Sequence, residues 1–258
     1  MIFVDNMTKC WYNLKTEGAS AMEAKGFIDT HSHILFSVDD GARDIGKSLA
    51  MLEKEREEGA AVVFLTPHFY EGERNSSHLA ERFEELRQRA KESLPEIELF
   101  LGNEIFCMYE PLNAIKSGAA RTYADGKYVL LEFAPSAEWG KIREHIVNFL
   151  REGYIPVIAH AERYSELFSK KERMREVTAL GALIQINCDT FTSAGFFQKR
   201  YLRSLLNEDM IFCIGTDAHN LKSRPPEMRD AFNWVVKNAG SEKAEKIFCE
   251  NAKVLMNK

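Results

Sequence analysis

The chain has 258 residues, of which 45% are hydrophobic and 28% charged, with a formal net charge of −5 at pH 7. This composition is typical of a globular protein with one large or two small domains, and the negative net charge argues against nucleic-acid binding. The longest apolar runs are too short to cross a membrane and the five cysteines form no CxxC pair, so we expect reduced thiols, no membrane insertion and a cytoplasmic location.

Residues 1–25 differ from the rest of the chain, because they show neither helix nor strand periodicity. We interpret them as an N-terminal extension or arm, which could be a flexible arm, a docked helix or a remnant of expression. Scattered charges leave this segment without the apolar centre of a signal peptide. Residues 26–258 are predicted to form a single catalytic domain.

From residue 27 onward, apolar strand patterns alternate with amphipathic helix patterns. Glycines follow three of the predicted helices, at the positions where helices commonly end. The predicted strands cover residues 27–30, 61–66, 98–102, 128–133, 155–159, 183–187 and 211–215. The predicted helices cover residues 45–58, 77–93, 139–152, 170–180, 196–207, 226–238 and 241–256.

The alternation of seven strand patterns with helices favours a parallel arrangement of the strands. Side chains that can bind metals stand at the ends of six of these strands. In a barrel of parallel strands all such ends lie on one face, whereas an open sheet brings ligands together only at its switch point. We therefore predict an α/β fold in the form of a distorted (β/α)7 TIM-like barrel.

Two histidines follow the first strand pattern as His31-Ser32-His33. Alternate residues of an extended chain point to the same side, so both imidazoles can face one ion. A lone HxH motif is weak evidence, but metal-type ligands end five more strands, which favours one shared site over unrelated hydrogen-bonding roles. The nine candidate ligands are His31, His33, Asp40, His68, Glu104, Glu132, His160, Asp217 and His219.

Nine ligands exceed the coordination sphere of one ion, which takes about four to six. The sequence therefore predicts more than one divalent ion, with carboxylates as bridges. Histidine and carboxylate ligands without thiolates favour Mn²⁺, Fe or Zn²⁺. Asp40 could instead belong to a turn with Gly41. The remaining histidines, His78 and His145, are predicted to be solvated.

Two arginines closely follow candidate ligands. Arg163 lies three residues after His160, and Arg224 lies five residues after His219. Either could be an ordinary solvated charge in a loop. Beside several cations, however, a guanidinium can hold a phosphate through two parallel hydrogen bonds. The pair therefore favours a phosphate ester as substrate.

These motifs resemble the polymerase and histidinol phosphatase (PHP) superfamily. More narrowly, they resemble the PHP-type protein tyrosine phosphatases of bacterial capsule and exopolysaccharide gene clusters, the CpsB/YwqE-like family. The resemblance runs from about residue 27 to the C-terminus, keeps the nine ligand positions in family order and departs at the N-terminal extension. The segments that carry it are residues 28–35, 38–42, 66–68, 102–105, 131–133, 156–164, 185–187, 215–219 and 224–226.

The resemblance implies the PHP fold and a site for three divalent metal ions, most often Mn²⁺. Glu104 would bridge two ions, and Arg163 and Arg224 match the phosphate-binding arginines. Catalysis would then depend on these three residues and on Asp217. The implied ligand sets are His31, His33, Glu104 and Asp217 for the first ion, Glu104, Glu132 and His160 for the second, and Asp40, His68 and His219 for the third.

The function that this resemblance implies is the metal-dependent hydrolysis of phosphotyrosine, with the tail of a bacterial tyrosine kinase as the partner. One alternative is a small-molecule phosphatase of the same superfamily, such as a histidinol phosphatase, for which a deep site is expected instead of a shallow rim. Another is an amidohydrolase-type metal hydrolase, which would leave Asp40 and His68 without a metal role. A non-enzymatic metal-binding regulator is a third reading, and it would leave no open position for water.

Overall fold

The computed structural model describes residues 26–70, 76–108 and 110–257, so the N-terminal extension lies outside the described residues. Every pairing between its strands is parallel. The strands of the described residues are β1 (Phe27–Ser32), β2 (Ala60–Leu65), β3 (His68–Phe69), β4 (Glu98–Leu101), β5 (Glu104–Phe106), β6 (Tyr128–Glu132), β7 (Ile155–Ile158), β8 (Leu183–Asn187) and β9 (Cys213–Gly215).

The strands form two sheets, with the orders β1-β2-β4 and β3-β5-β6-β7-β8-β9. Each sheet continues into the other, because β3 follows β2 after two residues and β5 follows β4 after two residues. At the far side, the His33 amide donates to the Ala218 carbonyl at 2.8 Å and the Asp217 amide donates to the His31 carbonyl at 2.7 Å. The ends of β1 and β9 are thereby hydrogen-bonded, and the α/β architecture of parallel strands is confirmed.

Helices connect the strands in chain order. The described helices are α1 (Ile45–Glu58), α2 (Ser76–Ser93), α3 (Pro111–Lys116), α4 (Trp139–Arg151), α5 (Ser165–Phe168), α6 (Lys171–Leu180), α7 (Cys188–Ser193), α8 (Phe196–Asn207), α9 (Arg229–Ala239) and α10 (Ser241–Glu245). None of the helices in the described ranges combines the length and apolar character needed to span a bilayer.

Local sequence explains where α1 begins and ends. The Asp44 side chain accepts a hydrogen bond from the Lys47 amide at 2.9 Å, which satisfies a free donor of the first turn. Gly59 ends the helix with a φ of 107°, a left-handed conformation that glycine adopts at little cost. Both ends agree with the predicted helix over residues 45–58.

The prediction of one continuous helix over residues 241–256 is wrong. After α10 the chain widens into a π-helical segment, Lys246–Glu250, and then tightens into a 3₁₀ segment, Asn251–Met256. This change lets Phe248 pack in the outer core while Leu255 packs among the inward-facing strand residues. Packing against two different surfaces has overridden the uniform helical period.

The core has two parts, which follow from the alternation of side chains along the strands. The larger part lies between strands and helices and includes Phe27. The smaller part, which includes Ile28, Val62 and Val157, is enclosed by the strands themselves. Tyr123 lies in this smaller part, and its hydroxyl donates to the Thr30 carbonyl at 2.8 Å. The apolar filling supports the strand ends that carry the candidate ligands.

Candidate metal centre

The nine predicted ligands lie together where the strands end. His31 lies in β1, His68 and Glu104 begin β3 and β5, and Glu132 ends β6. His33, His160, Asp217 and His219 lie just beyond the ends of β1, β7 and β9, and Asp40 lies in the loop that follows β1. Two of the ligands have left-handed backbones that are uncommon outside glycine, with a φ of 29° at His160 and 55° at Asp217.

The first group of converging ligand atoms belongs to His31, His33, Glu104 and Asp217, whose side chains are all buried. Glu104 Oε2 lies 3.2 Å from Nε2 of His31 and 3.2 Å from Nε2 of His33. Asp217 Oδ1 lies 3.3 Å from His33 Nε2. Two imidazoles and two carboxylates therefore face one point, as expected from the HxH spacing.

The second group is centred on the two glutamates. His160 Nε2 lies 2.6 Å from Glu104 Oε1 and 3.8 Å from Glu132 Oε1. His68 Nδ1 approaches the same carboxylates from another side, at 3.0 Å from Glu104 Oε2 and 3.6 Å from Glu132 Oε2. The atoms that converge on one point are those of His68, Glu104 and Glu132. His160, which the resemblance places in this set, contacts the same two carboxylates but does not belong to the converging group.

The third group consists of His33, Asp40, His68 and His219. Asp40 Oδ1 lies 3.3 Å from His219 Nε2 and 3.6 Å from His68 Nε2. The Asp40 side chain is 68% exposed, so this group lies at the mouth of the site. His33 was not expected in this set, and its ring connects the third group to the first.

Hydrogen bonds behind the rings leave the facing nitrogens available as ligands. His33 Nδ1 donates to Asp39 Oδ2 at 2.7 Å, and the distance from His31 Nδ1 to Gln185 Oε1 is 3.3 Å. His219 Nδ1 donates to the Asp217 carbonyl at 2.8 Å. Sequence reasoning assigned no role to Asp39 or Gln185, although both stand inside the motifs that carry the resemblance.

The arrangement of buried atoms fits metal ions. Among the described residues, five buried ligand atoms make no hydrogen bond, although they face one another. Buried polar atoms without partners are costly, and a divalent cation satisfies several of them at once. These atoms are His68 Nδ1, Glu104 Oε2, Glu132 Oε2, Asp217 Oδ1 and His219 Nε2.

The electrostatics of the cluster also favour the binding of cations. Burial opposes the charge of Glu104, but the facing histidines, His31 first, hold the pKa of this carboxyl well below its usual range. Burial likewise opposes the charge of His33, yet its carboxylate partners raise the pKa of that ring well above its ordinary value. Burial and the charge of Glu104 raise the pKa of Glu132 to about 7. The carboxylates therefore attract positive charge, which a divalent ion can supply in place of the protons on the histidines.

Both predicted arginines lie beside the cluster, on one oxygen of Asp217. Arg163 Nη2 lies 2.6 Å from Asp217 Oδ2, and Arg224 Nη2 lies 2.5 Å from the same atom. Asn187 Nδ2 donates to that oxygen at 3.0 Å. The two guanidinium groups line a cavity of about 180 Å³.

The histidines outside the cluster differ from each other. His78 is exposed, as predicted. The prediction that His145 is solvated is wrong, because its ring is half-buried in α4 and lies 5.8 Å from the Phe133 ring. Burial lowers the pKa of His145. His145 lies three residues after Ile142 and four before Phe149, which α4 buries, so its ring stands at the edge of the buried face of the helix.

Residues 27–257 match the family profile described as capsular polysaccharide synthesis, CpsB/CapC. The chain belongs to the CpsB/CapC family.

Two bacterial members illustrate the similarity. The tyrosine-protein phosphatase CpsB of Streptococcus pneumoniae is 34% identical over 239 residues, which cover 89% of this chain and 98% of that protein. The tyrosine-protein phosphatase YwqE of Bacillus subtilis is 31% identical over 236 residues, covering 89% of this chain and 91% of that protein. The sequence resemblance to the CpsB/YwqE-like family is thereby confirmed.

Solved structures agree with the family assignment. A structure from work on YwqE of Bacillus subtilis and CpsB of Streptococcus pneumoniae, described as unique metal-dependent tyrosine phosphatases, superimposes with a TM-score of 0.81 at 28% identity, covering 89% of this chain and 94% of that one. A TatD-family hydrolase from Entamoeba histolytica superimposes with a TM-score of 0.58 at 10% identity, covering 90% of this chain and 98% of that one. The second likeness concerns the fold alone.

Proposed function

We propose that this CpsB/CapC family member is a metal-dependent protein tyrosine phosphatase that hydrolyses the phosphomonoester of phosphotyrosine in capsule or exopolysaccharide synthesis. One observation carries the proposal: three overlapping ligand groups lie beside two arginines that meet on Asp217. The names of the relatives, tyrosine-protein phosphatases, agree with this chemistry. The proposed partner is a phosphotyrosine-bearing kinase tail, and the proposed location is the cytoplasm, where free cysteines such as Cys188 and Cys213 stay reduced.

The proposed cofactors are three divalent ions, with Mn²⁺ favoured over Fe or Zn²⁺. When bound, such ions stabilise negative charge on phosphoryl oxygens and lower the pKa of water. The third group supports this set over an amidohydrolase-type site, because Asp40 and His68 then have a metal role. The proposed ligands are His31, His33, Glu104 and Asp217 for the first ion, Glu104, Glu132 and His160 with His68 for the second, and Asp40, His68 and His219 for the third.

The chain's own residues supply binding and orientation. Arg163 and Arg224 are 39% and 37% exposed, so their free N–H groups can reach phosphate oxygens while each keeps its bond to Asp217. Charge that develops on those oxygens during hydrolysis would be stabilised by the same donors. Asp39 and Gln185 would hold the histidine rings in the orientation that ligation needs.

The proposed architecture is the distorted (β/α)7 barrel of the PHP fold. Counting β2 with β3 and β4 with β5 as single interrupted strands gives seven, and hydrogen bonds between the ends of β1 and β9 support closure. Such closure explains how ligands from all sides reach one site.

The proposed substrate is a protein phosphotyrosine because the rim of the site is open. Asp40, Arg163 and Arg224 are all exposed at the mouth of the cluster. A shallow site accepts the side chain of a phosphoprotein, whereas a small metabolite such as histidinol phosphate is better enclosed by a deep pocket.

A substrate panel tests the proposal. The Mn²⁺-loaded protein should hydrolyse a phosphotyrosine peptide much faster than a matched phosphoserine peptide or histidinol phosphate, and chelation should abolish turnover. The matched control is Glu81→Gln, an exposed carboxylate in α2 that should leave turnover unchanged. A preference for histidinol phosphate would identify a small-molecule phosphatase instead.

A further inference from the structure

Two adjacent phenylalanines at the start of α8 are the most exposed large apolar side chains of the described residues. Phe196 is 76% exposed and Phe197 is 83% exposed, and their rings meet edge to face with centroids 5.6 Å apart. The helix buries its other face through Leu202 and Leu205, so its packing does not require the pair. Grouped apolar side chains left in water indicate an interaction surface.

A short stretch of chain connects the pair to the cavity that contains the two arginines. Thr192 of α7 lines this cavity together with Arg163 and Arg224. Lys199 Nζ donates to the Thr192 carbonyl at 3.3 Å, which holds the first turn of α8 against the cavity wall. Thr192 stands four residues before Phe196, a span of at most about 14 Å, so a polypeptide whose phosphate binds at the arginines can extend to the phenylalanines.

The charge next to the pair is positive. Lys199 and the exposed Arg200 follow the pair after Gln198, and within the described ranges neither side chain has a carboxylate at ion-pair distance. Apolar rings beside unpaired cations complement a polypeptide segment that carries both apolar side chains and negative charge. A lipid surface fits less well, because Asp189 and Asp230 line the adjacent cavity and would repel anionic headgroups.

We propose that Phe196, Phe197 and Arg200 form a docking surface for the substrate protein, which holds an acidic, apolar stretch of chain beside the phosphotyrosine. This inference rests on the proposed phosphatase function and deepens it. The surface lies outside the metal cluster, so it positions the macromolecule and touches no reacting atom. It would make the enzyme discriminate between phosphoproteins by the sequence that flanks the phosphotyrosine.

Steady-state kinetics with two substrates tests the proposal. We expect the F196S/F197S variant of the Mn²⁺-loaded enzyme to raise KM for a long acidic phosphotyrosine peptide by about 10-fold, the scale of losing apolar anchor side chains. The kcat for this peptide should not change. Turnover of p-nitrophenyl phosphate, which is too small to reach α8, should also stay the same.

The contribution of the Arg200 charge to peptide binding is tested with a matched pair of variants. Arg200→Glu should raise KM for the acidic peptide, and the effect should shrink as salt is added. Arg89→Glu changes an exposed arginine in α2, a helix distant in sequence from α8, and should leave KM unchanged. An equal effect of the two variants would contradict a local contact at α8.

Three results would overturn the docking role. The first is an unchanged peptide KM in F196S/F197S. The second is that the wild type binds phosphatidylserine vesicles and the variant does not, while the KM for the peptide is the same in both, which would assign the surface to lipid. The third is a change of oligomeric state in the variant by analytical ultracentrifugation with unchanged peptide KM, which would assign it to a second copy. Failure of the wild type on both substrates would instead refute the phosphatase function, and with it this role.

Discussion

Arg163 donates to Oδ2 of Asp217 at 2.6 Å, while Oδ1 of the same carboxylate faces the histidines of the metal cluster. One carboxylate therefore joins the cation site to the proposed phosphate-binding arginines. A phosphate held by the guanidinium would lie directly beside the ions, which is the arrangement that charge stabilisation during hydrolysis requires.

Removal of the Arg163 guanidinium should impair catalysis without loss of metal. We expect Arg163→Ala to lower kcat/KM for a phosphotyrosine peptide by roughly 10²-fold, the scale of losing one preorganised donor. Metal content should be retained because Arg224 still binds Asp217 Oδ2. Arg163→Lys should recover only part of the activity, since an ammonium keeps the charge but not the two-pronged geometry. Kinetics and metal analysis of both variants would check this, and unchanged kinetics in Arg163→Ala would refute the phosphate-binding role.

The central carboxylate should be needed for more than one ion. Glu104 contacts His31 and His33 through Oε2 and His160 through Oε1. Glu104→Gln removes the negative charge shared by these groups, so activity should fall by more than about 10²-fold, beyond the loss typical of an outer hydrogen-bond partner. Circular dichroism should show an intact fold. Near-normal turnover in the folded variant would contradict the bridging role.

Metal content provides a separate measurement. Because three ligand groups overlap in the cluster, the active protein should contain more than one transition-metal equivalent per chain. Activity should disappear on chelation and return with Mn²⁺, and the equivalents regained can be counted by elemental analysis. Full activity with a single tightly bound ion would show that nine ligands do not imply several ions.

A buried carboxyl outside the cluster should make stability depend on pH. Glu55 is fully buried in α1, and burial followed by the charge of Asp29 raises its pKa well above the ordinary value. Asp29 accepts hydrogen bonds from the Thr216 amide at 2.8 Å and the Thr216 hydroxyl at 2.6 Å, which favours its charged form and leaves the proton on Glu55.

The sign of the effect follows from this raised pKa. The folded protein keeps the Glu55 proton, so the contribution of Glu55 to stability is most favourable at low pH and is lost as pH rises above the ordinary glutamate range. At pH 8 the free energy of unfolding of Glu55→Gln should therefore exceed that of the wild type by about 1 kcal/mol or more. At pH 5 the difference between the two proteins should be smaller. Urea unfolding of metal-free protein would measure this. Glu57→Gln, an exposed neighbour in the same helix, is the control, and an equal response of both variants would exclude the burial effect.

Much of this protein could be predicted from local sequence. The period of apolar residues located α1 and α8 with the observed bounds, and β8 as well, because the pattern of an amphipathic helix or buried strand is written in consecutive residues. The nine residues of the cluster could also be predicted as candidate metal ligands. Their side chains are of the metal-binding type, and they follow apolar runs, as in His31-Ser32-His33.

Only the tertiary structure decided how those residues are grouped. No spacing along the chain places His68 against both Glu104 and Asp40, or His33 in two groups at once, because such contacts depend on which strands are neighbours. The same applies to Arg163 and Arg224, whose shared contact with Asp217 Oδ2 joins residues about 60 positions apart, and to the exposure of Phe196, which a helical pattern alone would assign to the core. The sequence by itself determined the secondary-structure elements and the types of side chain they carry. The tertiary structure determined the distances between those side chains, because contacts between remote segments form only when their strands become neighbours.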